Sequence, residues 1–95
     1  MTVTAIITFT AQPGQREAMA AAMHDIAEQL PGVDGFVGIT SYNAVDDPDT
    51  IIELAEWESV AAHGSFRAHA KETGLFDALG AVTVGPPEAI YVEPR

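Results

Sequence analysis

The hydrophobic and polar positions at the start of the chain alternate in the manner of a β-strand. Residues 2–11 are rich in Val, Ile, Thr and Phe, and a Pro-Gly pair follows directly. Val3, Ala5, Ile7 and Phe9 share one face, while threonines dominate the other face except at Ile6. Because neither face is wholly polar, we expect both faces of this strand to contact protein.

The period changes to that of a helix between residues 15 and 30. Apolar side chains recur there at spacings of three and four residues, and acidic residues with His24 lie opposite them. Pro31 and Gly32 end this helix, because proline cannot continue the hydrogen-bond ladder and glycine accepts a left-handed turn. This segment is therefore predicted to be an amphipathic helix.

A second helix is predicted from Ser59 to Ala70. The Ser59 hydroxyl can cap its N-terminus, although Ala62 at the third helical position excludes a capping box. Gly74 ends the helical pattern, and a short helical stretch follows over residues 75–79.

Three further segments have strand character. Residues 35–43 and 50–57 flank the sequence Asp-Asp-Pro-Asp at 46–49, a strong turn signal that favours an antiparallel hairpin. The last strand is predicted in two pieces, 81–84 and 89–92, separated by Gly-Pro-Pro. Prolines confine such a strand to a sheet edge or to a bulge.

The element order β-α-β-β-α-β predicts one ferredoxin-like α+β domain over residues 1–95, with two helices on one face of a four-stranded antiparallel sheet. The other face carries Ile52, Leu54 and parts of the first two strands. It is too apolar to face water on so small a protein. We therefore expect a homodimer in which two sheets pack face to face.

Composition excludes several classes of function. The chain has 95 residues, so a second domain is not expected. Its net charge of −10 argues against nucleic-acid and membrane-surface partners. The absence of cysteine excludes disulfides, thiolate metal sites and a thiol nucleophile. No apolar run approaches the roughly 20 residues of a membrane span, and we expect a cytoplasmic protein.

The third strand carries the first candidate for chemistry. Glu53 and Trp57 lie on the same side of it, because strand side chains alternate. If that side faces the helices, burial raises the pKa of Glu53 toward the range of a general base. Alternatively, Glu53 lies near a rim and pairs with Arg16 or Arg67. Trp57 either walls a pocket for a flat aromatic ligand or fills the core.

The histidines have no metal-binding spacing, so a metal site is not expected. His63 lies one turn from Phe66 on the same helical stripe and is predicted to face Trp57, where it either relays a proton or packs in the core. His24 and His69 are interpreted as surface residues.

Polar side chains on the first two strands are further candidates. Thr8 and Tyr42, with Thr40 and Asn43, can hydrogen-bond a substrate carbonyl or phenol. The pattern does not determine which face of the sheet they occupy.

Four segments together resemble the antibiotic biosynthesis monooxygenase family of dimeric α+β barrels. They are Leu-Pro-Gly-Val-Asp-Gly-Phe at 30–36, Asp-Asp-Pro at 46–48, Glu-Trp-Glu-Ser-Val-Ala-Ala at 56–62 and Gly-Leu-Phe at 74–76. The resemblance covers nearly the whole chain. It implies a ferredoxin-like homodimer whose characterised relatives oxygenate phenolic or quinol-like polycyclic substrates without metal or flavin, in a pocket that Trp57 helps to line.

The sequence departs from the family pattern in the second helix. After the Trp-x-Ser segment the family often has Ala, a bulky apolar residue and a histidine one turn later, whereas here Ala62 is followed directly by His63 and the later position holds Phe66. A haem-degrading branch of the superfamily depends on a Trp and a His in the second helical region and on an Asn in the first strand, but here Phe66 lies about where that Trp would fall and the first strand has no Asn. Haem degradation is therefore disfavoured.

The resemblance and the residues together predict a cofactor-independent monooxygenase acting on a small or polycyclic aromatic substrate with O2. Glu53 or His63 is the candidate base, Trp57 and Phe66 are candidate walls, and Thr8 or Tyr42 orients the substrate. Two alternatives remain open at the level of sequence. One is a ligand-binding barrel without catalysis, and the other is a cyclase- or isomerase-like relative that consumes no oxygen.

Overall fold

The structure, a computed structural model, describes residues 2–95 and confirms the ferredoxin-like α+β fold. Its elements follow the predicted order, with a short third helix before the last strand: β1 (Val3–Thr10), α1 (Arg16–Ala27), β2 (Phe36–Asn43), β3 (Thr50–Trp57), α2 (Val60–Thr73), α3 (Asp77–Gly80) and β4 (Glu88–Val92).

The four strands form one antiparallel sheet in the order β2-β3-β1-β4. The central strand β1 places Ile7 opposite Glu53 on one side and opposite Ala89 on the other. The buried side chains of β1 share a core with Met19 of α1 and Phe66 of α2. Both long helices therefore cover the same face of the sheet, and the residues between sheet and helices define the site.

Three predicted boundaries are wrong, and one of them is the end of α2, which continues to Thr73 rather than stopping at Ala70. Helix α1 ends at Ala27 rather than at residue 30, and Leu30 is buried in the turn that follows. The predicted strand piece 81–84 is not a strand, since it contributes only an isolated bridge between Thr83 and Ala11. The Gly-Pro-Pro sequence at 85–87 interrupts pairing there because proline has no N–H to donate to a ladder.

A bulge near the start of β2 changes which of its side chains face the helices. Phe36 lies opposite Trp57, so a regular antiparallel ladder would place Gly38 opposite Ala55. Instead, Gly38 lies opposite Glu56. The extra residue reverses the alternation. In an unbroken strand Phe36 and Tyr42, six residues apart, would share a face, but here Phe36 lies on the helix side whereas Tyr42 lies on the other side, opposite Ile52.

Local polar contacts hold the predicted turn and cap. The Asp47 carboxylate accepts hydrogen bonds from the Asp49 backbone N (2.9 Å) and the Thr50 hydroxyl (2.8 Å), and these bonds lower the pKa of Asp47. At the start of α2 the Ser59 hydroxyl accepts a bond from the Ala62 backbone N at 3.0 Å. Gly74 ends the helix in the left-handed conformation, as predicted.

The sheet face away from the helices is called the open face below. It carries the β1 side chains that alternate with the buried ones, together with the residues that pair with them on β3 and β4. Ile6, Leu54 and Ile90 form one such row. Ile90 is 61% exposed and Tyr42 is 54% exposed. Within residues 2–95, no helix has the length and apolar character needed to cross a membrane.

Candidate functional site

A cavity of about 510 Å³ lies between the helix-covered face of the sheet and the helices. This volume is within the range of small-molecule sites. Most of its wall is apolar, with aliphatic and aromatic side chains from β1, α1, the turn after α1, α2 and the segment before α3, including Ile7, Phe9, Met23, Leu30, Phe66 and Phe76. Three titratable side chains interrupt this wall, namely Glu53, His63 and Arg67. An apolar chamber with a few polar groups is suited to a flat organic ligand.

Glu53 lies in the middle of β3, on the same side as Trp57, so the predicted shared face is confirmed. Its carboxyl group makes no hydrogen bond or ion pair with any residue in 2–95, and burial raises its pKa to about 7. Arg16, one of the expected partners, instead donates to the backbone carbonyls of Ala44 and Asp47. Glu53 therefore changes its protonation state near neutral pH inside an apolar cavity.

Trp57 is the centre of an aromatic cluster and is 1% exposed. Its ring centroid lies 5.5 Å from Phe36 in an edge-to-face arrangement, 5.1 Å from His63 and 5.5 Å from Phe66. Across residues 2–95, the Trp57 Nε1 is the only buried side-chain nitrogen or oxygen that lacks a hydrogen-bond partner. Trp57 is thus both a core residue and a cavity wall, with an unused donor.

His63 faces Trp57, as the helical stripe predicted, and is 6% exposed. Its Nδ1 shares a hydrogen bond of 2.8 Å with the phenol oxygen of Tyr91. Burial, with a smaller contribution from the Arg67 charge, lowers the pKa of His63 from its ordinary 6.5. The ring is therefore neutral at pH 7, with one nitrogen engaged by Tyr91.

Tyr91 is a residue that the sequence did not single out. It lies on β4 opposite Ala5, which places its side chain on the helix-covered face. From there its phenol reaches His63, which lines the cavity. The only sequence signal was its spacing of two residues from Ala89, which puts both side chains on one face of β4. That spacing identifies the helix-covered face only once β4 is known to pair with β1.

The structure separates the remaining candidates into two groups. Phe66 lines the cavity beside Trp57. Thr8 and Tyr42 both lie opposite Ile52, in one row across the open face, and neither lines the cavity.

His69 is exposed on α2, as expected. His24 is also exposed, as expected, and its Nε2 lies 2.9 Å from Glu28.

Among residues 2–95, no three His, Asp or Glu side chains come together in an arrangement that could hold a metal ion.

A family model described as "Antibiotic biosynthesis monooxygenase" matches residues 2–73 of the chain. This match covers β1 to α2 and includes Glu53, Trp57 and His63. No curated protein gives a significant match to the sequence.

Several solved structures share the fold over almost their full length. A protein of Bordetella bronchiseptica assigned to the same monooxygenases superposes with a TM-score of 0.89 at 19% identity, over 99% of this chain and 97% of the other. SnoaB, a cofactor-independent oxygenase from Streptomyces nogalater, gives 0.83 at 21% identity, over 99% and 93%. The monooxygenase from ActVA-Orf6 of Streptomyces coelicolor, solved with the ligand nanaomycin D, gives 0.79 at 28% identity, over 98% and 87%.

Proposed function

The chain belongs to the antibiotic biosynthesis monooxygenase family, and on that premise we propose that it is a cofactor-independent monooxygenase that oxidises a phenol- or quinol-type aromatic compound with O2. The observation that carries the proposal is Glu53, an unpaired carboxyl in an apolar cavity with a pKa raised to about 7. A general base works best when its pKa is close to the ambient pH. The similarity to SnoaB and to the ActVA-Orf6 enzyme supports the same class of reaction.

The reaction needs a substrate anion because ground-state O2 is a triplet and does not insert directly into a closed-shell molecule. The Glu53 carboxylate takes a proton from the substrate, and the resulting carbanion or phenolate transfers one electron to O2. The two radicals combine to form a peroxide anion on carbon, and its outer oxygen takes back the proton from Glu53 to give a hydroperoxide. For an anthrone-type methylene group, loss of the second proton then breaks the O–O bond, and the outgoing hydroxide takes up a proton to give water. In balance, one methylene group and one molecule of O2 give one carbonyl group and one molecule of water.

The other cavity residues bind and orient the substrate in this proposal. Trp57 and Phe66 supply a wall against which aromatic rings stack. The unused Trp57 Nε1 donor is satisfied if a substrate oxygen lies against that wall. His63, neutral and held by Tyr91, is the second candidate for proton transfer. The apolar surroundings limit the access of bulk water to the anion.

Oxygen consumption tests the proposal. Wild-type protein is supplied with a panel of hydroquinones and anthrone-like compounds, and O2 uptake is measured together with product formation. We expect turnover to fall by about 10²-fold or more in Glu53→Gln, since general-base catalysis contributes about 10²- to 10⁴-fold. Smaller losses are expected for His63→Ala and Trp57→Phe. Glu72→Gln, an equal change of charge at an exposed position on α2, is the control and should retain full activity.

Two other outcomes would identify a different function. If no panel compound causes O2 uptake but aromatic compounds still bind, the barrel is a ligand-binding protein without this catalysis. If a substrate is converted without O2 uptake and the conversion still depends on Glu53, the protein is a cyclase- or isomerase-like relative. The raised pKa of Glu53 favours an enzyme over a passive binder, for which a base has no use.

We also propose that the protein is a homodimer that joins two open faces. Ile6, Ile52, Leu54 and Ile90 are apolar and only partly covered in a single chain. Thr8 and Tyr42 lie on the same face, so their proposed role becomes one at the interface rather than in the cavity. Light scattering coupled to size exclusion should give about twice the 10.0 kDa mass of one chain at micromolar concentration. A 10.0 kDa species would contradict the dimer.

A further inference from the structure

The cavity contains one positive charge, which the proposed reaction does not use. Arg67 lines the cavity from α2, one helical turn after His63, and its side chain remains exposed. Its charge reaches the cavity interior, since it contributes to the lowered pKa of His63. Arg67 is therefore placed at the boundary between the apolar chamber and solvent.

Arg67 has no anionic partner within residues 2–95, in which the only ion pair joins His24 and Glu28. The chain has 14 acidic residues and only 4 Lys and Arg residues, so carboxylates are abundant, yet none is placed against this guanidinium. Arg16 provides a contrast, because its guanidinium donates to the backbone carbonyls of Ala44 and Asp47. The five N–H donors of Arg67 are thus available to a ligand.

We propose that Arg67 binds the carboxylate of an aromatic acid whose rings occupy the apolar part of the cavity. The inference rests on the proposed function to the extent that this cavity is the substrate site. A planar guanidinium pairs with a carboxylate through two parallel hydrogen bonds, which fixes the orientation of the ligand as well as adding affinity. The chain has a net charge of −10 and repels anions overall, so the positive charge of Arg67 is what favours anion binding at this position.

The location of Arg67 also predicts how such a ligand is oriented. A carboxylate held at the exposed guanidinium stays partly hydrated, so its desolvation is limited. The rings then point inward, toward Trp57 and Glu53. An ionised ligand carboxylate next to Glu53 itself would suffer like-charge repulsion, which disfavours the reversed orientation. The proposed substrate class is therefore a flat, oxidisable aromatic compound with one carboxylate at its edge.

Binding can be tested without turnover by using compounds that are already oxidised. Anthraquinone-2-carboxylate and its carboxamide have the same rings and nearly the same shape, but only the first is anionic. Quenching of the fluorescence of Trp57, the single tryptophan, reports their binding at the cavity wall. We expect wild type to bind the carboxylate at least about tenfold more tightly than the amide, as is reasonable for a charge-assisted bidentate contact.

Variants assign the preference to Arg67. Arg67→Gln should remove the preference and leave the affinity for the amide unchanged, while Arg67→Lys should keep part of it. Lys71→Gln removes a positive charge one turn further along α2, outside the cavity, and should keep the full preference. Equal binding of acid and amide by wild type, binding of neither compound, or equal loss of both in Arg67→Gln would overturn the inference.

The outcome is separable from that of the proposed function. A protein that prefers the carboxylate but consumes no O2 with any panel compound retains the Arg67 site and lacks the proposed oxygenation. A protein that consumes O2 but shows no carboxylate preference retains the oxygenation and lacks the Arg67 site.

Discussion

His63 and Tyr91 share a hydrogen bond of 2.8 Å between Nδ1 and the phenol oxygen, although they are 28 residues apart in the chain. The bond joins α2 to the edge strand β4 through His63, a residue of the cavity wall. A phenol hydroxyl can donate to an unprotonated Nδ1 or accept from an Nδ1–H group, so this bond holds the orientation of the neutral ring and influences which nitrogen carries the proton. Tyr91 is therefore a positioning residue for His63.

Removing the Tyr91 hydroxyl should release this constraint. In Tyr91→Phe the His63 Nδ1 loses its partner, and we expect a measurable shift in the tautomer populations of the ring together with a stability loss of about 1 kcal/mol. Long-range ¹H–¹⁵N correlation spectra of His63 would measure the populations. Tyr42→Phe removes the other phenol, which lies on the open face, and should leave the His63 signals unchanged. Identical spectra for wild type and Tyr91→Phe would contradict the positioning role.

The raised pKa of Glu53 predicts the pH dependence of catalysis. Only the carboxylate form can accept a proton, so kcat/KM should rise with pH and reach half of its maximum near the pKa of about 7. The profile is measured by O2 uptake between pH 5.5 and about 8.5, the range that brackets this pKa. An activity that is independent of pH across that window would exclude Glu53 as the base. Glu72→Gln should reproduce the wild-type profile.

The same group affects the stability of the fold. The pKa of Glu53 is about 7 in the folded chain and 4.5 as the ordinary value, so the folded state holds the proton more tightly. Between these two values the unfolded state binds fewer protons, and stability should fall as pH rises. Above pH 7 the loss approaches about 3 kcal/mol, since each pKa unit corresponds to about 1.4 kcal/mol.

Glu53→Gln isolates this effect because it keeps the shape and removes the titration. Relative to wild type, the variant should gain up to about 3 kcal/mol at pH 8 and gain little below pH 4.5. Urea unfolding at a series of pH values and at a fixed protein concentration measures the difference. A difference that does not vary with pH would show that Glu53 is not desolvated in the folded protein. The titration of His63 occurs in both proteins and cancels in the comparison.

Gly35 holds the start of β2 against α2 and thereby places Phe36 on Trp57. Its φ is +84°, and a Cβ at this position would collide with the Cβ of Ala62. We expect Gly35→Ala to destabilise the protein by about 2 to 4 kcal/mol, combining left-handed strain with overpacking. Gly32→Ala is the matched control, since its φ is +90° but nothing lies within 4 Å of the added atom.

Thermal or urea unfolding separates the two contributions at Gly35. Gly32→Ala should lose only the strain component, about 1 to 2 kcal/mol. The double variant Gly35→Ala with Ala62→Gly should recover the steric part, offset by the cost of glycine in a helix. Equal losses for the two single variants would mean that α2 yields to the extra methyl group without cost.

The periodicity of the sequence was sufficient to predict the elements and part of the site. Alternation along β3 is intrinsic to an extended chain, so Glu53 and Trp57 had to share a face. The helical stripe of α2 likewise required His63 and Phe66 to face the same way, and both lie against Trp57. These relationships are local, since they depend only on the geometry of a single strand or helix.

Only the tertiary structure could determine which distant residues meet. Tyr91 reaches His63 because β4 pairs with β1, a choice that no local period encodes. A single-residue bulge turned Tyr42 to the open face, since one extra residue reverses every later side chain of a strand. The pKa of Glu53 depends on how completely the surrounding elements exclude water and partners. The sequence thus determined the alternation of side chains along the regular strands and helices, whereas the bulge in β2 and the packing of elements decided which neighbours each side chain meets, and those neighbours determine its chemistry.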